Sequence, residues 1–152
     1  MKPFDQSAYD ADDSAKYVVL EWLHNNYPQI NAHINPDDYG IDILSEMGGI
    51  EVEVRHAWSG PKWPFPNVRI PIRKRKFLTP SMKSWFMVVN NERTHALIVS
   101  GAALYDAPVR VIPVPKYDTR ELFMITSPGL TIDLTQKGAK VTDTLGKDKA
   151  PT

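Results

Sequence analysis

Ala15, Val18, Val19, Trp22 and Leu23 recur at helical spacing and form one apolar stripe. Asp12-Asp13-Ser14 precede it as N-cap candidates, with acids suited to the helix macrodipole. Pro28 disfavours a helical residue before it. The spacing therefore predicts a helix over 13–26, after a loose leader at 1–11. Residues 29–35 read as a short strand or an extended entry, and Pro36 to Gly40 as a turn. Ile41 to Leu44 is predicted as a short strand, closed into a hairpin by Met47-Gly48-Gly49. Ile50 to Arg55 then alternates without fault. Ile50, Val52 and Val54 face one way; Glu51, Glu53 and Arg55 face the other.

Downstream, residues 58–66 hold three prolines, a glycine and three aromatics, which predicts a loop pinned by its own rings. Val68 to Ile72 is extended, and a short helix fits around 79–83. Ser84 to Val89 is an apolar run suited to a buried strand. Asn90 to Arg93 is a turn, and His95 to Val99 is the returning hairpin partner. Gly101 to Tyr105 suits a short helix; Val109 to Val114 and Glu121 to Thr126 suit two strands. The expected architecture is α/β (α+β): an N-terminal helix, then a mixed central sheet, built around one sheet. One domain is expected over 1–135, with a polar, flexible tail over 136–152.

Composition narrows the function. Hydrophobic content is 42% and charged content 24%, ordinary for a globular domain. Cysteine is absent, which excludes disulfides, thiolate metal sites and a cysteine nucleophile. No apolar run of membrane-spanning length and no secretion signal is seen, so an intracellular, cytoplasmic protein with no membrane partner is expected. Formal net charge is zero, which argues against a whole surface that grips nucleic acid. The charge is nonetheless segregated. Acids dominate the first forty residues, and Arg69, Arg73, Lys74, Arg75 and Lys76 form a run without an acid.

The chemistry centres on Asp42 and the strand 50–55. If the hairpin register permits, Asp42 lies across from the glutamate face. Three carboxylates together repel unless a cation or solvent relieves them. Mg²⁺ suits such oxygen donors, with Mn²⁺ as a substitute, and can activate water on a phosphodiester. The bland alternative is that Glu-x-Glu-x-Arg marks a half-exposed strand, that the basic run is a solvated loop, and that the aromatic loop covers a sheet. His33, His56 and His95 make no metal motif.

Gly40-Ile41-Asp42, a hairpin, and Ile50-Glu51-Val52-Glu53-Val54 resemble the core of the PD-(D/E)XK nuclease superfamily, the restriction-endonuclease-like fold. The likeness covers residues 12–56. It implies a Mg²⁺-dependent DNA endonuclease with Asp42, Glu51 and Glu53 as metal ligands. Two alignments stay open. If Glu51 is the family's acid, Glu53 stands where lysine is usual; if Glu53 is, Arg55 does. Arginine stays protonated and cannot be a general base, but it can hold a phosphate. Lys74 is the candidate to enter the site from elsewhere, and Glu21 is a weaker candidate acid. Arg69, Arg73, Lys74, Arg75, Lys76, Trp58 and Trp63 are expected to contact DNA, the two tryptophans with Phe65 as rings for stacking on bases. The small domain favours structure-directed cutting, and one site per chain is compatible with a homodimer. The alternative function is a non-catalytic nucleic-acid-binding or structural protein on a nuclease-like scaffold.

Overall fold

The computed structural model describes residues 6–78, 83–115 and 119–136. Its order is helix α1 (Gln6–Asn26), strands β1 (His33–Ile34), β2 (Ile43–Ser45), β3 (Gly48–Arg55) and β4 (Val68–Pro71), and a 3-10 turn (Ile72–Phe77). Strands β5 (Ser84–Asn90) and β6 (His95–Ser100), helix α2 (Gly101–Tyr105), and strands β7 (Val109–Val114), β8 (Thr119–Thr126) and β9 (Leu130–Asp133) follow. The mixed α/β class is as expected, but the strands form two sheets rather than one. A six-stranded sheet runs β1-β2-β3-β5-β6-β9, and a three-stranded sheet runs β4-β8-β7.

Helix α1 begins at Gln6, so the expected loose leader is helical from that point and Asp12-Asp13-Ser14 lie inside the helix. Between Asp5 and Asn26 the chain has neither proline nor glycine. Once the apolar stripe is anchored, each further turn adds a hydrogen bond per residue fixed, and nothing interrupts propagation upstream. The expected helix at 79–83 falls largely outside the described residues, as do 137–152 of the expected tail. The turn observed nearby is at Ile72–Phe77. Strand β9 carries no clear alternation and was not expected; it pairs with β6.

The large sheet is packed on both faces. On one, Val19, Trp22 and Leu23 of α1 meet Ile43, Ile50, Val52, Met87 and Ile98. On the other, Phe86, Val88, Leu97 and Val99 meet Val68 and Ile70 of β4, Met124 of β8, Leu104 and Trp58. The alternation in β3 therefore has an unexpected meaning. Its polar face pairs in register with Phe86 and Val88 of β5 and looks toward the second layer, not toward open solvent.

Strands β3 and β5 are parallel, with Glu51 beside Phe86 and Glu53 beside Val88. A parallel pair needs a long crossover. Here the crossover contains the aromatic loop, β4 and the 3-10 turn in place of the usual helix. The return to β5 passes close to Gly48, whose φ is +122° and whose missing side chain leaves room for the Lys83 carbonyl. Gly60 also has positive φ, +84°, but nothing within 4 Å of where a Cβ would stand. Gly48→Ala should therefore cost at least about 2 kcal/mol, from backbone strain plus overlap, and Gly60→Ala only about 1 kcal/mol. Urea unfolding of the two variants measures both; equal losses would show that the close approach at Gly48 does not constrain the crossover.

Candidate functional site

Strand β2 starts at Ile43, two residues later than expected, so Asp42 stands just before it. The pairing continues through it all the same. Ile43 lies opposite Ile50, and one further step sets Asp42 opposite Glu51. Each acid accepts from the backbone of the neighbouring strand: the Asp42 backbone N–H donates to Glu51 Oε1 at 3.2 Å, and the Val52 backbone N–H donates to Asp42 Oδ2 at 2.8 Å. The preceding turn is fixed by short polar side chains. Asn35 donates from Nδ2 to the Ile41 carbonyl, and Asp37 Oδ1 accepts from the Tyr39 N–H. These local bonds suit Asn and Asp, which cap turns through their own side chains.

The crossover brings a lysine to this pair. Lys74, in the 3-10 turn, donates from Nζ to Glu51 Oε2 at 2.5 Å. Asp42, Glu51 and Lys74 line one cavity of about 300 Å³, with Arg73, Lys76, Lys16 and a third acid, Asp38, also at its wall. Glu51 is only 5% exposed, which rules out the half-exposed strand for this residue. Burial pushes its carboxyl up to about 7; Lys74 pulls it down and Asp42 adds to the rise. For Lys74, burial disfavours the charge, but the Glu51 carboxylate, with Glu53 and Asp42, outweighs it and holds the ammonium above the ordinary lysine range. Lys74 is therefore a fixed cation in this protein.

Glu53 and Arg55 take a different course. Both share the face of Glu51, but Arg55 reaches back two residues and donates from Nη2 to Glu53 Oε2 at 2.6 Å, and also to the Arg69 carbonyl at 3.0 Å. Burial alone would raise the Glu53 carboxyl, yet Arg55, then Lys74 and Arg73, bring it below the usual carboxylate range. The expected third metal ligand is thus engaged by an arginine. Arg55 itself borders a second cavity, away from Asp42. Glu21 is exposed and does not border the cluster.

The basic run is dispersed by its own backbone. Arg69 is exposed on β4, Arg73 is ion-paired with Glu121, and Lys74 turns inward. Arg75 and Lys76 are exposed. Trp58, expected to contact DNA, is 0% exposed and has no ring face for a base. Its Nε1 donates to the Lys62 carbonyl at 2.8 Å, and its ring meets Trp63 edge-on at 5.1 Å. A loop with three prolines has few backbone bonds to offer, so its rings fold inward instead. Trp63 remains partly open. Lys16, Tyr39 and Arg110 border the two cavities and were missed. Lys16 could have been found: it sits one residue past Ala15 and so at the margin of the apolar stripe. Arg110 carried no signal in a strand that alternates weakly.

Among the described residues no three His, Asp or Glu side chains are grouped as metal ligands. Two carboxylates do converge, one of them buried and disfavoured as an anion. Mg²⁺ commonly takes one or two protein carboxylates and completes its shell with water and phosphate. The donor set of Asp42 and Glu51 fits that requirement, and a divalent ion would relieve the electrostatic cost that Lys74 now offsets in part.

The raised Glu51 carboxyl has a thermodynamic signature. Between the ordinary 4.5 and about 7 the folded protein holds a proton that the unfolded chain has released. Stability then falls as pH rises across that window. The raised Lys74 contributes at every pH below its unfolded value, so it does not tilt this window. Glu53 tilts the other way and only on the acid side, because its stabilisation is lost as pH falls through its lowered value. Wild type should lose up to about 3 kcal/mol relative to Glu51→Gln between pH 4.5 and 7 without added metal. Parallel pH-dependence curves from chemical denaturation would sink this account of Glu51.

The chain matches no known family model, no curated protein and no solved structure, so the cluster is read from its own residues and geometry.

Proposed function

We propose that this protein is a metal-dependent phosphodiester hydrolase acting on DNA, with Asp42, Glu51 and Lys74 as its catalytic centre. The observation that carries the reading is the meeting of two acids and a lysine from a distant segment in one cavity, bordered by Lys16, Arg73, Lys76 and one further acid, Asp38. This is the constellation that the PD-(D/E)XK likeness calls for, with Lys74 in place of a lysine in the strand motif.

Asp42 and Glu51 would hold Mg²⁺ or Mn²⁺. When bound, such an ion polarises a phosphoryl oxygen and makes water a stronger nucleophile near neutral pH. The chain supplies the rest. The Val52 N–H fixes Asp42, and the Asp42 N–H fixes Glu51, so both carboxylates are preorganised by backbone. Lys74 stays protonated. It serves as a charge that stabilises a developing phosphorane rather than as a base, and such fixed charges act strongly where water is excluded. Lys76 at the cavity wall suits a flanking phosphate, while Arg73 beside it is shared with Glu121. Glu53 and Arg55 neutralise each other outside this cavity.

The engagement of Glu53 by Arg55 favours a second reading, a non-catalytic nucleic-acid-binding scaffold, since it leaves two acids for a cation instead of three. Cleavage separates the two. Plasmid and branched DNA are incubated with Mg²⁺, Mn²⁺ or EDTA. Wild type should cut with either metal and not in EDTA. Asp42→Asn should abolish cutting, and Lys74→Met should slow it by about a hundredfold or more. Clean, folded wild type that leaves both substrates intact would transfer the protein to the binding scaffold. Cutting that survives Asp42→Asn would remove this cluster as the centre.

A further inference from the structure

A second cavity, of about 400 Å³, lies between the aromatic loop and the outer face of the three-stranded sheet. Its wall includes Trp63 and Phe65 from the loop, Arg55 from β3, Arg69 from β4, Arg110 from β7 and Ile125 from β8. The strand register explains the gathering. Arg69 pairs with Ile125, and Arg110 pairs with Phe123, so these side chains share one face of the small sheet. The opposite face carries the core residues Val68, Ile70 and Met124.

Two features give this cavity its chemistry. The first is an aromatic wall held in place from behind. Trp63 donates from Nε1 to the Asn67 carbonyl at 3.2 Å and sits edge-on between Trp58 and Phe65, at 5.1 and 5.2 Å. Phe65 is 37% exposed, a large ring kept at the surface by the prolines on either side. The second is uncompensated positive charge. None of the described residues lining the cavity is acidic. Arg55 is matched by Glu53 and lies over the Trp63 ring at 5.8 Å. Arg69 and Arg110 have no ion-pair partner among the described residues.

The cavity also has a defined relation to the acid cluster. Glu51 and Arg55 lie on the same face of β3, four residues apart, or about 13 Å at the rise of a strand. That is about four steps along one strand of a duplex. A nucleic-acid strand lying along β3 would reach both sites. A ring wall accepts the flat face of a base, whereas a base stacked in a duplex has both faces covered.

We infer that this cavity receives an unpaired nucleotide of the DNA, its base against Phe65 and Trp63 and its phosphates on Arg69 and Arg110. The inference rests on the nuclease reading and names its substrate class: DNA with single-stranded or extrahelical nucleotides a few steps from the bond that is cut.

The test is binding in EDTA, where no cleavage interferes, of a fluorescein-labelled oligo-dT strand and of a blunt duplex of mixed sequence, followed by anisotropy. Phe65→Ala should weaken single-strand binding at least about fivefold. Phe65→Leu, which keeps apolar bulk for packing but has no aromatic face, should behave like it. Duplex binding and the melting temperature should change little in either. Arg110→Ala should lower the slope of log affinity against log salt for the single strand by about 0.7. Single-strand binding that none of these variants alters, or an equal loss on the blunt duplex, overturns the inference. Cleavage by wild type together with variant-insensitive binding removes the cavity and leaves the nuclease. Variant-sensitive binding without cleavage removes the nuclease and leaves a nucleotide-binding cavity.

Discussion

The parallel pairing of β3 with β5 is the constraint on which both cavities depend. An antiparallel partner could follow β3 after two residues, and the segment between would be a tight turn. A parallel partner obliges the chain to travel back the length of the strand, across one face of the sheet. That crossing lays β4 and the 3-10 turn over the face that carries Glu51, Glu53 and Arg55. The acids become buried because the crossover covers them. Lys74 meets Glu51 because the crossover carries it there. Trp63 and Phe65 meet Arg55 for the same reason, since the first part of the crossover must turn away from the end of β3.

Covering charged residues has an energetic cost, and the structure meets it in two distinct ways. Glu53 is matched by Arg55 within its own strand, two residues away on the same face, so the pair forms wherever that strand forms. Glu51 has Asp42 beside it and relies on a lysine from twenty-three residues downstream. The first pair is closed, with a carboxyl lowered by its own arginine. The second is open, with a carboxyl raised toward neutrality and a neighbouring acid. A buried pair that is incompletely compensated is where a cation or a phosphate gains most, and for that reason the proposed chemistry is assigned to the open pair and not to the closed one.

Much of this was legible in the sequence, and the remainder was hidden for physical reasons. Strict alternation from Ile50 to Arg55 placed three charged side chains on one face, but whether Asp42 stood across from them depended on the hairpin register, which the structure sets by pairing Ile43 with Ile50, both buried. The basic run suggested a lysine entering from elsewhere. What alternation does not encode is what lies above a polar face. Glu51 and a solvated glutamate have the same local pattern, and only the crossover distinguishes them. The second sheet was hidden likewise, since β4 contacts β8 across more than fifty residues. The start of α1 was misplaced because Asp12-Asp13-Ser14 favours a cap but does not forbid a helix. Trp58 was assigned to a ligand because a proline-rich loop looks exposed; its ring is instead the peg that fastens that loop to the core.

The net charge of zero also changes meaning once the layers are known. Taken over the whole surface it argues against a nucleic-acid protein, because long-range attraction requires excess cations. Attraction at a cleft depends on the local balance. Four of the seven acids that weigh on the first forty residues, Asp5, Asp10, Asp12 and Asp13, belong to the leader and the first part of α1, remote in sequence from the crossover. Glu51 and Glu53 are cancelled within the fold by Lys74 and Arg55, and Glu121 is cancelled by Arg73. The cations left along the crossover and the small sheet, Arg69, Arg75, Lys76 and Arg110, have no ion-pair partner among the described residues. Over distances beyond about 10 Å salt screens the rest of the molecule at ordinary ionic strength. A chain with no net charge can in this way present a positive track, provided its acids are spent on internal partners or held on another face.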